Sequence, residues 1–197
     1  MKLMEGGVCA AKGFTANGIH CGIRKNHSKK DLALIFSAVP ASAAAVYTTN
    51  LVKGAPLTVT KNHIANGIAQ AVICNSGNAN TCNANGIEIA EAMSLLVAKE
   101  LNMAADDVVV ASTGVIGQPL SIDPIAAGMP ELAAGLSMDG GQAAADHYDH
   151  RYRYERSGSG IPAGRQDLPY RRHCQGQRHD PSQHGYHAGV PDHRLCH

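Results

Sequence analysis

Nowhere in the 197-residue chain do 18 apolar residues follow one another, so no membrane span is expected. A surplus of charge is missing too. Lysine and arginine total 17 against 16 acidic residues, a net charge of +1, and nothing in that balance points to nucleic acid or to an acidic membrane. The opening Met1-Lys-Leu-Met-Glu-Gly-Gly7 has no apolar run, and Glu5 would interrupt a signal sequence. Six cysteines, at 9, 21, 74, 82, 174 and 196, form no CxxC pair and are too sparse for a disulfide scaffold. A reduced, cytoplasmic protein is the expectation. Neither GxGxxG nor Gly-Lys-Ser/Thr occurs, which leaves little for a nucleotide loop, and no cofactor is expected.

Arginine is scarce in one part of the chain only. Up to residue 145 there is a single one, Arg24, and every lysine lies in that stretch. From Asp146 onward there are eight arginines, no lysine, eight of the eleven histidines and five of the six tyrosines. Residues 1–145 and 146–197 are therefore read as separate segments. The first is long enough for one sizeable core.

Within 1–145, residues 12–23 alternate around glycines and predict a strand pair turning near Asn17-Gly18. Arg24 to Lys30 reads as a solvated basic loop. Asp31–Val39 predicts a buried strand, Ala43–Asn50 a second that ends in a polar cluster able to face a ligand, and Ala55–Thr60 a third with Pro56 near its start. Gln70–Cys74 predicts a strand that runs into Asn75–Gly86, where five asparagines and two glycines fall in twelve residues. Strand, small-residue loop and helix is an arrangement that can bind phosphate, but a structural turn built on asparagine side chains is the preferred reading. Ile89, Met93, Leu96, Val97 and Leu101 recur at helical spacing and predict a helix over 87–101. A further helix is expected after Pro119-Leu120, capped by Ser121 or Asp123 with Pro124 in its first turn, then broken at Gly128-Met-Pro130. The alternation argues an α/β domain.

Val108-Val-Val-Ala-Ser-Thr-Gly-Val-Ile-Gly117 is the stretch best suited to chemistry. Three valines without polar alternation predict a strand buried on both faces. At its end, a threonine hydroxyl beside a glycine N–H can make a pair of donors for a developing oxyanion. Taken alone, Ser112-Thr113-Gly114 reads better as a polar turn that closes a strand.

Three motifs decide between those readings. Tyr47-Thr-Thr-Asn50, Asn75-Ser-Gly-Asn-Ala-Asn80 and Ala111-Ser-Thr-Gly-Val-Ile-Gly117, in this order and spacing, resemble the bifunctional ornithine acetyltransferase/N-acetylglutamate synthase family of arginine biosynthesis. Lys12-Gly-Phe14, Lys29-Lys-Asp-Leu-Ala-Leu-Ile35 and Pro119-Leu120 fit as well, and the resemblance covers residues from about 8 to 145. It implies the N-terminal part of a layered α/β/β/α sandwich. It also implies acetyl transfer from N2-acetylornithine, and in some members acetyl-CoA, to glutamate. In the family a precursor cuts itself before a threonine in Ala-Thr-Met-Leu, and that threonine becomes the nucleophile of a second chain, its free amine serving as base. The two chains assemble as an α2β2 heterotetramer. By the same resemblance Thr113 and Gly114 are the oxyanion-hole residues.

The family's later motifs, Met-Thr-Thr-Asp-Thr and Ala-Lys-Gly-Ser-Gly-Met-Ile-His-Pro-Asn-Met-Ala-Thr-Met-Leu, are not visible after residue 145. The genetic code accounts for this. Read one base later, codons for His147-Tyr-Asp-His-Arg-Tyr152 permit Ile-Met-Thr-Thr-Asp-Thr, and those for 174–188 permit the whole longer motif. Residues 146–197 thus read as an out-of-frame tail, too poor in apolar residues to order itself. Tyr152, Gln175 and Tyr186 then stand where the family has its substrate-binding threonine, its lysine and its nucleophilic threonine. The expectation is an inactive fragment. Two other functions remain in view: a self-processing amidase or peptidase of related layout, and a non-catalytic metal-binding module using His147, His150, Cys174, His184 and His187. Their spacing matches no closed four-ligand pattern, and no metal site is assigned.

Overall fold

A computed structural model describes residues 3–4, 7–145, 158–163 and 166–170. Its centre is a four-stranded sheet of β2 (Phe14–Ile19), β3 (Leu32–Ser42), β4 (Ile68–Asn75) and β5 (Val108–Ser112), in that order. The first three strands are antiparallel, whereas β5 is parallel to β4. Four helices accompany them: α1 (Ala55–His63), α2 (Gly86–Leu101), α3 (Asp123–Ala134) and α4 (Gly141–Ala145). A second sheet joins β1 (Leu3–Met4), β6 (Gly158–Ala163) and β7 (Gln166–Tyr170) in the order β1-β6-β7. The last two strands lie in the segment read as an out-of-frame tail. The α/β class is borne out.

The unbroken run Leu-Ala-Leu-Ile in β3 follows from cover on both faces. Leu32 and Leu34 point into the main core with Ile73, Val108, Val110 and the inner faces of α1, α2 and α3, represented by Val59, Met93, Val97, Ile125 and Leu132. Ala33 packs on the opposite face with Ala16, Ala144 and half-buried Ile35. Small residues there let α4 approach closely. A Cβ on Gly18 would sit 2.1 Å from the Ala143 carbonyl oxygen.

Five local expectations are corrected. Asn17-Gly18 is no turn: β2 runs straight through it, paired with Leu34 and Ala33, because the Asn17 amide is spent on the Leu132 carbonyl (3.0 Å) and Gly18 gives α4 its close approach. Residues 43–50 form no strand. β3 bulges between Phe36 and Ala41, around Pro40, then pairs only to Ser42, and the chain beyond leaves the sheet with Val46 fully exposed. Ala55–Thr60 is helix, not strand. Pro56 sits in its first turn, where a missing N–H costs nothing. α3 continues through Gly128-Met-Pro130 without a break, since Met129 and Leu132 are buried in the core and hold the turn that Pro130 weakens. Pro124 does lie in the first turn of α3, but Ile122 holds the cap position and the Ser121 hydroxyl accepts the Asp123 N–H instead (3.2 Å).

α1 exists for the sake of an edge. β5 ends the sheet, and its outer backbone groups would be unpaired without a cover. Thr60 supplies one: its hydroxyl donates to the Val110 carbonyl (3.1 Å) and accepts the Val110 N–H (3.0 Å). His63 adds a contact from Nδ1 to the Val108 carbonyl oxygen (2.9 Å), with Nε2 3.2 Å from Glu91.

Candidate active site

Because β4 and β5 are parallel, both leave the sheet at the same edge, with Asn75 opposite Ser112 as the last pair. In α/β folds, ligands bind beyond such carboxyl ends. Here that position is occupied by two segments, the asparagine loop from Asn75 to Gly86 and the Thr113–Gly117 turn.

The asparagines hold the loop together. Asn75 donates its amide to Ser112 Oγ (2.7 Å), while its Oδ1 accepts the N–H groups of Gly77 and Asn78. Asn78 donates to the Gln118 carbonyl (2.8 Å) and accepts the Asn80 N–H (2.8 Å). Asn80, in left-handed backbone at φ 47°, donates to the Gly86 carbonyl (2.8 Å) and so ties the loop to the start of α2. All three side chains are buried. Their polar atoms are committed inward, as the turn reading of this stretch predicted.

Thr113 is fastened to that loop from the other side. Its N–H donates to the Asn75 carbonyl (2.9 Å), and its hydroxyl reaches the same oxygen at 3.4 Å, long for an O–H···O bond. The backbone N–H is therefore taken, and the lightly held hydroxyl is the group free to turn toward a ligand. Gly114 follows at φ 135°, a backbone that an L side chain rarely adopts; a Cβ there would stand 2.6 Å from the Gly77 carbonyl. Its N–H meets no acceptor among the described residues, and the glycine is exposed. A threonine hydroxyl and the next N–H, both on locked backbone at a strand end, are suited to stabilising negative charge on a reacting oxygen.

A second layer, which the sequence reading passed over as a solvated loop, fixes the asparagine turn from behind. The Arg24 guanidinium donates to the Ser76 carbonyl through Nε (2.7 Å) and through Nη2. The fully buried Asp31 accepts the N–H groups of Cys21 (2.7 Å) and Arg24 (2.9 Å), and its own carbonyl accepts the Ser76 N–H (2.9 Å). One signal was present in the sequence: Arg24 is the only arginine before residue 146.

Tyr47-Thr-Thr-Asn50 stands apart from this cluster. Thr48 and Asn50 cap local turns, and the nearest approach of their segment is through Gly54 and Ala55, whose N–H donates to the Asn80 carbonyl (3.1 Å). Tyr152, Gln175 and Tyr186 lie outside the described residues, as do His147, His150, Cys174, His184 and His187. Among the described residues no group of three or more His, Cys, Asp or Glu could hold a metal ion, and no helix is long and apolar enough to cross a membrane. The cysteines offer no nucleophile in the core. Burial pushes the Cys74 thiol up to about 12; burial, then the Asp31 charge, does the same to Cys21.

The sequence profile of the ArgJ family matches residues 15–149. The arginine biosynthesis bifunctional protein ArgJ of Symbiobacterium thermophilum is 47% identical over 148 residues, 74% of this chain and 37% of that protein. The corresponding protein of Bacillus cereus is 50% identical over 133 residues, 66% and 32% of the two chains. The chain thus spans about a third of the length of these relatives. Among solved structures, ArgJ of Bacillus halodurans superposes with a TM-score of 0.75 at 36% identity, covering 85% of this chain and 90% of that one. Ornithine acetyltransferase of Mycobacterium tuberculosis, solved with ornithine, gives 0.69 at 36% identity over 74% and 80%.

Proposed function

Because the chain belongs to the ArgJ family, we propose that it is the N-terminal part of an enzyme that moves an acetyl group from N2-acetylornithine, or from acetyl-CoA, to glutamate. Thr113 and Gly114 are its oxyanion donors. The observation that carries this reading is the committed N–H of Thr113 beside a loosely held hydroxyl and an unused Gly114 N–H. The nucleophile belongs to the later part of the family's precursor, a threonine freed by self-cleavage. Its hydroxyl takes the acetyl group as an ester while ornithine (or CoA) leaves, and the amine of glutamate then takes the acetyl group and returns the hydroxyl.

In this chain Tyr186 takes that threonine's place, and Tyr152 and Gln175 replace two substrate-binding residues. A phenol cannot undergo the N–O shift of self-cleavage, so the chain as written performs no acetyl transfer, and residues 146–197 are an out-of-frame tail. The end of the family match at residue 149 supports this, since the relatives continue far beyond it. The family's α2β2 assembly and a cytoplasmic setting complete the proposal.

The test is made in a frame-repaired, full-length precursor carrying Thr113→Ala. Loss of a donor used in the transition state lowers kcat by about 10²–10³ with KM little changed. If KM rises and kcat holds, Thr113 is a ground-state contact and the oxyanion assignment fails.

A further inference from the structure

A cleft of about 500 Å³ opens between the end of β2, residues 27–30 and the C-terminal turn of α3. Asn17, His20, His27, Lys29, Lys30 and Glu131 line it. Its charges are segregated by element. Two lysines and two histidines come from β2 and the loop that follows, while the acidic group, Glu131, lies on α3. The α3 C-cap, Gly135, lines the cleft as well, and a helix C-terminus adds partial negative charge to that wall.

His20 is set up to serve the basic wall. Its Nδ1 faces two acceptors, the Lys29 carbonyl at 3.0 Å and the Asp31 carboxylate at 3.2 Å, and so it carries the proton. That leaves Nε2, a buried atom with no partner among the described residues. The His27 ring packs edge-on with centroids 4.7 Å apart. The acidic wall is held just as firmly, since the Asn17 amide is bonded to the Leu132 carbonyl and a Cβ on Gly135 would press on that amide at 2.2 Å. A polar cleft with basic groups on one wall and an acidic group on the other marks a place for a ligand that carries both charges.

We propose that this cleft binds a small zwitterion of the amino-acid class, independently of the acyl-transfer site. The carboxylate lies against Lys29 and Lys30. The ammonium lies against Glu131 and the end of α3. A plain anion would satisfy only one wall and meet the negative charge of the other.

The full chain, titrated with L-norvaline while histidine ring protons are followed by NMR, tests this. Saturable shifts at His20 and His27 are expected. Pentanoate and butylamine, which each lack one charge, should bind at least about tenfold more weakly, as should norvaline to Glu131→Gln and Lys30→Gln variants of unchanged melting temperature. Equal binding of pentanoate would make the cleft a simple anion site and overturn the proposal. So would the absence of saturable shifts, or their loss in Thr113→Ala, which would put the ligand at the candidate active site.

Discussion

Burial separates the cysteines into two chemical kinds. Cys82 is exposed, whereas Cys74 is half-buried in β4 and Cys21 is held half-buried beside the Asp31 carboxylate, both thiols pushed up to about 12. Alkylation near pH 8, mapped by peptide mass spectrometry, should modify Cys82 and spare Cys74 and Cys21 until the protein unfolds. The same shifts set a sign for stability. Between the ordinary value of 9.0 and about 12 the native state keeps protons that the unfolded chain has released. The contribution is therefore full below pH 9 and declines as pH rises toward 12. Urea midpoints should fall over that window, and Cys74→Ala should flatten part of the fall. Gly114 makes a further prediction at this scale. Alanine there would face the Gly77 backbone at 2.6 Å with φ 135°, so Gly114→Ala should push the Thr113 turn off the asparagine loop. A loss of stability of about 1–3 kcal/mol is expected, with the Gly114 N–H displaced rather than deleted. Unchanged urea stability would show that the contact yields.

The hydroxyl of Thr60 binds an entire helix to an edge strand, which makes it the element-scale test. Thr60→Val keeps the shape but strips partners from both backbone groups of Val110, which is 3% exposed. Leaving buried polar groups unpaired costs about 1–3 kcal/mol each, so a destabilisation of about 2–4 kcal/mol is expected in urea unfolding. Little change would mean that water reaches the edge. This contact also explains which elements could be read from the sequence. β3, β4, β5 and α2 declare themselves because their apolar spacing is their burial pattern: Met93 and Val97 one turn apart in α2, Leu32 and Leu34 alternating with Ala33 in β3. α1 does not. Its buried Thr60 and His63 face β5 as polar groups, so the helical face carries no apolar stripe, and β-branched Thr58, Val59 and Thr60 imitate a strand. The candidate site was legible to the same degree. The turn chemistry of Asn75–Asn80 and the strand before Thr113 follow from local sequence, whereas the Arg24–Asp31–Ser76 brace depends on a contact 52 residues apart in the chain.

At the scale of the molecule, apolar side chains face outward on two segments. Val46 is 100% exposed and Leu51 96%, in the segment that leaves β3, and Val115 and Ile116, directly after Gly114, are 50% and 63% exposed. Such surface commonly marks a partner's place. The relatives supply a reason for it, because this chain accounts for 37% of the length of the Symbiobacterium thermophilum protein. If the proposed frame shift is correct, coding DNA near the Ala145 codon carries one extra base or lacks two, and repair restores the downstream sequence. The repaired full-length product should split into two chains at an Ala-Thr bond, visible by denaturing electrophoresis and N-terminal sequencing. It should bind less of a hydrophobic dye per mole than the present chain, as Val46, Leu51, Val115 and Ile116 become covered. Acetyl transfer to glutamate should then be measurable in the repaired protein and absent from the unrepaired one. Two results would undo the proposal at different points. A coding sequence that yields no family motif in any frame would remove the frame shift, and an uncleaved but active product would remove the freed threonine as nucleophile.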